Sequence, residues 1–301
     1  MKIKNSVVTV GVFDGVHIGH KAVIKQVVAR AKASGLKSIV VTFDPHPMKV
    51  LNPSHFVPSL ISLKHRVELI KRLGIDEVIV MKFSNRMANL PAQRFIEDIL
   101  IGELNAREII VGEDFCFGKG ALAGIRMLAE IASKYSVKTE IVRPVKKNSH
   151  VVSSTIIRRL IIEGEIDKAS SLLGRPFSIL GTVVSGTKLA RTLGYPTANL
   201  NPHHEAIPPS GVYAVKVVHK EKEYKGVVNI GVRPTFYNHG HDKETSIEVH
   251  IFDFHGKIYG KDLEVIFIRK IRDEKKFNTI DSLIEQIKKD ASKAEKLLYK
   301  G

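Results

Sequence analysis

Apolar and polar positions along this chain follow two different rhythms. In the first half, β-rich apolar runs at Val7–Phe13, Ser38–Phe43, Glu77–Phe83, Glu108–Val111 and Val137–Val142 alternate with helix-period stretches. Those stretches lie near Ile18–Ala33, Leu63–Leu73, Pro91–Leu100 and Ile125–Lys134. Alternation of this kind predicts an α/β unit: a parallel sheet with helices on both faces. In the second half, short strand patterns recur at Ser178–Ser185, Val212–His219, Tyr224–Ile230, Ser246–Phe252 and Leu263–Arg269, with no helices between them. Gly, Pro, Asn and Asp separate them, which predicts a small antiparallel barrel or sandwich. A terminal helix follows over about Thr279–Leu298, with Ile280, Leu283, Ile284 and Ile287 at helical spacing. The rhythm changes around Ser154–Leu173, so the expected organisation is residues 1–155, a helical joining segment at 156–173, and residues 174–301.

Composition narrows this picture without changing it. A chain of 301 residues suffices for two cores, and 44% hydrophobic with 26% charged residues is globular rather than disordered. Cys116 is the single cysteine, which excludes an internal disulfide and a Cys-based zinc cluster and suits a cytoplasmic setting. No apolar run reaches the ~18 residues of a membrane span, and the first residues lack a signal-peptide pattern. The net charge of +16 is spread over both halves: 23 Lys+Arg against 13 Asp+Glu in residues 1–150, and 24 against 18 in residues 151–301. Such a spread serves polyphosphate substrates or solubility, and no aromatic-basic repeat or helix-turn-helix pattern accompanies it, so no nucleic-acid partner is expected.

The chemistry concentrates first in Gly11-Val12-Phe13-Asp14-Gly15-Val16-His17-Ile18-Gly19-His20. A glycine-bearing turn between a parallel strand and a helix N-terminus is where open α/β sheets bind anions. His17 and His20 are three apart and share a helix face directed at that anion site. Adenylyl transfer from ATP to a phosphate monoester suits this equipment. The nucleophile is already an anion, so the protein must supply alignment and charge stabilisation rather than a strong base. A metal held by His17, His20 and His46 is the alternative, but no carboxylate or cysteine at ligand spacing completes such a site. The stretch from Gly112 to Gly118-Lys119-Gly120 has the wrong spacing for a P-loop, and no Gly-x-Gly-x-x-Gly opens the first helix.

Further motifs extend the pattern: Phe43-Asp44-Pro45-His46-Pro47, Val111-Gly112-Glu113-Asp114-Phe115-Cys116-Phe117-Gly118 and Ser153-Ser154-Thr155-Ile156-Ile157-Arg158. In the second half come Gly174-Arg175-Pro176-Phe177, Gly181-Thr182-Val183-Val184-Ser185-Gly186 and Leu193-Gly194-Tyr195-Pro196-Thr197-Ala198-Asn199. Val228-Asn229-Ile230-Gly231, Arg233-Pro234-Thr235-Phe236, Glu248-Val249-His250-Ile251-Phe252-Asp253-Phe254 and Arg272-Asp273-Glu274-Lys275-Lys276-Phe277 follow in order. Together these resemble the bacterial bifunctional riboflavin kinase/FMN adenylyltransferases, or FAD synthetases, over nearly the whole chain.

That resemblance implies a Rossmann-like nucleotidyltransferase domain and a riboflavin kinase barrel. ATP, riboflavin, FMN and FAD would be the substrates and products, with Mg²⁺ as cofactor. It implies that Gly11, Phe13, Asp14, His17, Gly19, His20, Asp114, Ser153, Ser154, Thr155 and Arg158 bind ATP for adenylyl transfer. His17 and His20 would meet the phosphates, and Ser153, Ser154, Thr155 and Arg158 would grip the triphosphate. Taken alone, Ser-Ser-Thr before a helix is also an ordinary N-cap. In the barrel it implies ATP and Mg²⁺ at Gly181, Gly186, Thr197 and Asn199, and flavin at Asn229, Glu248 and Arg272.

Phosphorylating riboflavin attacks with a weakly acidic primary alcohol, so a positioned base helps. Glu248 is the candidate, alternating with Ile247, Val249 and Ile251 and so projecting from the face opposite the apolar one. Thr197 and Asn199 share a face in an extended segment, and their neutral oxygens suit Mg²⁺ bound along with ATP phosphates. Two positions depart from the family: Ala190 replaces a usual glycine, and Ser62 replaces a usual threonine while keeping the hydroxyl. The His-rich loops at His203-His204 and Asn238–His241 receive no role. The expected protein is a monomer or weak homo-oligomer acting on small molecules. Retention of one activity alone is one alternative, opposed by the survival of the principal polar motif positions in both halves; a non-catalytic flavin- or nucleic-acid-binding regulator is the other, opposed by retained His17, His20 and Glu248.

Overall fold

In a computed structural model of the chain, residues 5–54, 57–185, 195–233 and 244–299 are described. The expectations for Gly186, Ala190 and the loop at 238–241 lie outside them. The chain separates into two compact units, residues 1–156 and 157–301.

The first unit is built on five strands: β1 (Ser6–Val10), β2 (Lys37–Asp44), β3 (Glu77–Lys82), β4 (Ala106–Gly112) and β5 (Lys138–Val142). They pair in parallel in the order β3-β2-β1-β4-β5. Because successive strand side chains point to opposite faces, Val7, Val40 and Ile110 face one core. That core includes Val23, Ile24, Val27 and Ala31 of α1 (Ile18–Ser34) and Ile70 of α3 (Leu63–Lys71). Val8, Val10, Ile39, Val41, Ile109 and Val111 face the other, with Leu128 and Ile131 of α6 (Ile125–Lys134). The short helices α2 (Pro47–Leu51), α4 (Asn85–Ala88) and α5 (Ala92–Arg94) lie in the connections.

The stretch expected as a helix over Pro91–Leu100 is a departure. After α5 it widens into a π-helix, Phe95–Glu103, in which the Leu104 amide still donates to the carbonyl five residues back at Ile99. The widened turn sends Phe95, Ile96 and Leu100 into the core together. A two-stranded hairpin, β6 (Lys146–Lys147) with β7 (His150–Val151), was not anticipated. Its strands are too short to show a period.

Helix α7 (Ser154–Ile162) starts in the first unit and runs into the second, where α8 (Ile166–Leu173) follows. Six strands then close a barrel: β8 (Ser178–Val184), β9 (Ala198–Pro202), β10 (Gly211–His219), β11 (Lys222–Arg233), β12 (Glu244–Ile251) and β13 (Asp262–Arg272). Their order is β10-β11-β12-β9-β8-β13, antiparallel throughout. Tyr213, Val215 and Val217 are fully buried in the barrel, where Tyr213 meets the Phe267 ring edge-on at 5.3 Å. On the opposite parity, Val212 and Ala214 face outward onto Ala294 and Leu298 of the terminal helix α9 (Ile280–Tyr299).

Candidate active sites in the two units

The loop after β1 is held at almost every peptide. The Gly11 amide donates to the Val41 carbonyl, and the Val12 carbonyl accepts from Thr42 Oγ1 at 2.9 Å. The buried Asp14 carboxylate accepts the Leu60 and Ile61 amides at 3.0–3.3 Å. The Asp14 carbonyl accepts from Ser154 Oγ at 2.8 Å. These restraints hold Phe13 and Val16 at φ of 52° and 42°, left-handed conformations that a bulky and a β-branched side chain resist. Backbone strain fixed by its surroundings is characteristic of functional loops.

That geometry delivers the two histidines. His17 is the N-cap of α1, and its Nδ1 accepts the His20 amide at 3.3 Å, which leaves the neutral ring's proton on Nε2. The His17 and His20 rings stack at 3.6 Å between centroids and 19° between planes. Phe13 meets His20 edge-on at 5.2 Å. Gly19 makes the stack possible, since a Cβ there would stand 3.1 Å from the His17 ring. Enclosure of its ring, with His17 and then Arg66 nearby, holds the His20 pKa well below the ordinary imidazole value. The His20 ring is thus a neutral donor at neutral pH.

A cavity of about 550 Å³ opens over this loop. Gly11, Phe13, Asp14, His17, Gly19, His20, Asp114, Ser153, Ser154 and Thr155 all line it. The structure therefore brings together every expected adenylyltransferase residue of the first unit. Asp114 folds back over Gly112, where a Cβ would lie 2.8 Å from its carboxylate. Ser153 accepts the Ile156 amide at 3.4 Å, so it does cap α7 as its sequence context suggested. Arg158, also on α7, falls in the second unit. His46 caps α2 and lines the same cavity, but no cluster of three metal-ligating side chains occurs among the described residues.

Sequence reasoning missed two features of this cavity. One is an aromatic wing: Phe43 meets Phe83 edge-on at 5.6 Å, and Phe115 stacks on Phe117 at 5.2 Å. The other is Arg143, the residue after β5 and the only permanently charged cation among the described residues lining the cavity. Its place at the carboxyl end of a parallel strand was the available signal.

In the barrel, strand register assembles the second site. Asn199 of β9 stands directly opposite Glu248 of β12, and Glu248 stands opposite Asn229 of β11. Directly opposed residues share a face, so the three form a polar row across neighbouring strands. The row continues through Val212 to Arg272. Val212 packs under α9, so this is the outer wall. Glu248 is half-exposed there between buried Ile247 and Val249. Asn199 is 8% exposed. His250 Nδ1 bonds the Pro196 carbonyl at 2.9 Å, with its ring against Tyr195 at 5.4 Å, and so anchors the segment that presents Thr197.

The other kinase candidates are placed differently. Gly181 is buried in β8, where a Cβ would stand 2.5 Å from the Asn201 carbonyl; close strand packing accounts for this glycine. Arg272 is already ordered: its Nε and Nη2 hold the Asp290 carboxylate at 2.7–3.1 Å, and Nη1 donates to the Asp273 carbonyl at 2.8 Å. Its guanidinium also lies over the Phe277 ring at 5.8 Å. Three strand spacings of roughly 4.8 Å separate it from Glu248 along the wall. Ser62 caps α3 by accepting the His65 amide at 3.2 Å, so the hydroxyl it retains is used. His203 Nε2 lies 2.7 Å from Thr182 Oγ1, which in turn donates to Asp262 at 2.8 Å. His204 is buried edge-on against Phe177 at 6.3 Å. His203 is an exposed loop residue as expected, whereas the burial of His204 corrects that expectation for the second histidine.

The parallel sheet and the strained histidine loop place the first unit among the α/β nucleotidyltransferases, here joined to a closed antiparallel barrel. The FAD synthetase family pattern matches residues 1–156, and the riboflavin kinase family pattern matches residues 173–298. A relative from Buchnera aphidicola subsp. Schizaphis graminum, named bifunctional riboflavin kinase/FMN adenylyltransferase, is 38% identical over 95% of this chain and 92% of its own length. Relatives of the same name from Listeria monocytogenes and Bacillus subtilis are 40% and 38% identical over 95% and 96% of this chain and about nine-tenths of their own lengths. The chain belongs to the family of bifunctional riboflavin kinase/FMN adenylyltransferases. Its fold also matches a crystal structure described as a macrolide-efflux protein from Streptococcus pneumoniae. That match has a TM-score of 0.84 and 34% identity, and covers 95% of this chain and 92% of the other. No helix among the described residues is long and apolar enough to cross a membrane.

Proposed function

We propose that this chain makes FMN and then FAD. Its barrel transfers the γ-phosphoryl group of ATP to riboflavin, and its first unit transfers the adenylyl group of a second ATP to FMN. The observation that carries the reading is the pairing of a strained loop presenting stacked His17 and His20 with a wall that aligns Asn199, Glu248 and Asn229.

At the wall, the Glu248 carboxylate takes the proton of the riboflavin primary hydroxyl as that oxygen attacks the γ-phosphorus and ADP leaves. Asn229 and Asn199, on either side of Glu248, orient the flavin chain and the nucleotide. Arg272, held by Asp290, closes the flavin side. Gly181 of β8 and Gly186 are assigned to the nucleotide by their sequence motif. The few neutral oxygens of Thr197 and Asn199 suit Mg²⁺ and would hold it beside the ATP phosphates. The ion would supply neutralisation of phosphate charge there.

At the loop, a phosphate oxygen of FMN attacks the α-phosphorus of ATP. The bond from that phosphorus to the bridging oxygen breaks, and pyrophosphate leaves. His17 and His20 donate to the oxygens that gain charge, while Ser153, Ser154, Thr155 and Arg158 hold the triphosphate. The aromatic wing of Phe43, Phe83 and Phe115 offers flat faces to the flavin ring. The reading takes small molecules as the partners of a monomer or weak homo-oligomer, and neither nucleic acid nor membrane enters it. A lone cysteine fits work in the reducing cytoplasm.

The test is direct. Purified protein incubated with riboflavin, ATP and Mg²⁺ gives FMN and then FAD, resolved by chromatography, and chelation of the metal stops both steps. Absence of both products overturns the reading.

A further inference from the structure

The histidine loop rests on a cation that the mechanism above leaves unused. Arg66 of α3 is only 5% exposed. Its Nη1 donates to the Val12 carbonyl and its Nη2 to the Phe43 carbonyl, both at 2.8 Å. One guanidinium thus clamps the loop after β1 to the end of β2, directly beneath Phe13 and Asp14. Its Nε is enclosed without a hydrogen-bond partner. Burial pulls its pKa down, while Asp14 and Asp44 work in the opposite direction.

A buried brace of this shape need not be charged. Apolar packing of similar volume often holds two segments as well, without desolvating an ion. The charge has a use here, because Asp14 and Asp44 flank the guanidinium and would otherwise stand as uncompensated carboxylates beside the loop. It also acts on the catalytic rings. The groups facing His20 are the stacked His17, the Phe13 edge and Arg66, and those facing Arg66 are Asp14 and Asp44.

We infer that Arg66 is a positioning residue for adenylyl transfer: its two-pronged hold on the Val12 and Phe43 carbonyls fixes the loop that presents His17 and His20, and its charge acts on the His20 ring from behind that loop. The inference rests on the first unit being the adenylyl-transfer centre.

The test compares Arg66→Gln and Arg66→Lys with the wild-type full chain. Wild-type conversion of FMN to FAD is checked first; its failure would remove the reading of the site rather than the role of Arg66. In Arg66→Gln, kcat for FAD formation falls about 100-fold, as for a small displacement of reacting groups, while KM for ATP moves less than about threefold. In the same variant the His20 imidazole, followed by NMR, titrates at higher pH because a repelling cation has gone. Arg66→Lys returns the His20 titration to its wild-type position and restores kcat to within about tenfold of wild type. Wild-type kcat in Arg66→Gln, an unmoved His20 titration there, or a folded Arg66→Lys as slow as Arg66→Gln overturns the inference. If Arg66→Gln loses the thermal transition of the first unit, Arg66→Lys decides alone. A kcat more than about tenfold below wild type, or a displaced His20 titration, then overturns it.

Discussion

The His17 and His20 rings lie face to face at 3.6 Å, and His17 Nδ1 accepts the His20 amide. Stacking two imidazoles this closely disfavours charge on both at once, and the low pKa of His20 keeps that ring neutral. The pair is therefore a rigid donor surface at the start of α1.

Replacing both rings tests that surface. His17→Ala with His20→Ala lowers FMN-to-FAD turnover by about 10²–10³-fold, the usual cost of removing fixed donors to a transition state. Riboflavin phosphorylation continues, so chromatograms of a coupled reaction show FMN accumulating. Equal loss of both activities would contradict the assignment of the pair to one reaction.

Glu248 gives the mirror-image outcome. Glu248→Ala lowers riboflavin phosphorylation by about 10²–10⁴-fold, the range for loss of general base catalysis. Supplied FMN is still converted to FAD. A variant that phosphorylates riboflavin at the wild-type rate shows that Glu248 is not the base.

Acid should loosen the first unit through His20. Its folded pKa lies below the unfolded value of about 6.5, so the unfolded state binds the proton more readily. The stability contributed by keeping His20 neutral is fully present above pH ~6.5 and is lost as pH falls towards the folded pKa. Thermal melts between pH 7 and about 5 show the decline, and His20→Phe flattens that part of the profile. An unchanged slope in the variant would assign the acid sensitivity elsewhere.

Asp14 is expected to matter to stability as well as turnover. Asp14→Ala strips partners from the buried Leu60 and Ile61 amides, at about 1–3 kcal/mol for each group left unsatisfied. Denaturant unfolding of the variant reads the loss directly, and FAD formation falls with it.

In the barrel, Asp290 anchors α9 through Arg272, and both side chains are largely buried at 6% and 16% exposure. Asp290→Ala leaves the guanidinium uncompensated and lowers stability by about 3–5 kcal/mol, measured by chemical denaturation. A change within error would mean that water replaces the carboxylate easily.

Most of the fold was legible because its strands alternate cleanly and its helices carry apolar residues at turn spacing. Strand β9 was not read as a strand: Ala198–Pro202 is short, polar and proline-ended, so it has no period to detect. It joins the barrel because β8 and β12 flank it. Of the sites, His17 and His20 were legible from spacing, since one helix turn relates them. Glu248 could be placed on a face, but its alignment with Asn199 and Asn229 depends on register between strands remote in sequence. Arg66 was illegible for the same reason. In its own helix it resembles a solvated charge, and only folding brings it beneath a loop formed some fifty residues earlier.

The two units occupy one polypeptide, residues 1–156 and 157–301. Every copy translated carries one FMN-forming centre and one FMN-consuming centre, in fixed one-to-one stoichiometry. Making more of this protein raises both centres together and leaves their ratio unchanged. For this protein the division of product between the two flavins follows from the relative speeds and affinities of the centres, so a substitution that slows either one shifts it.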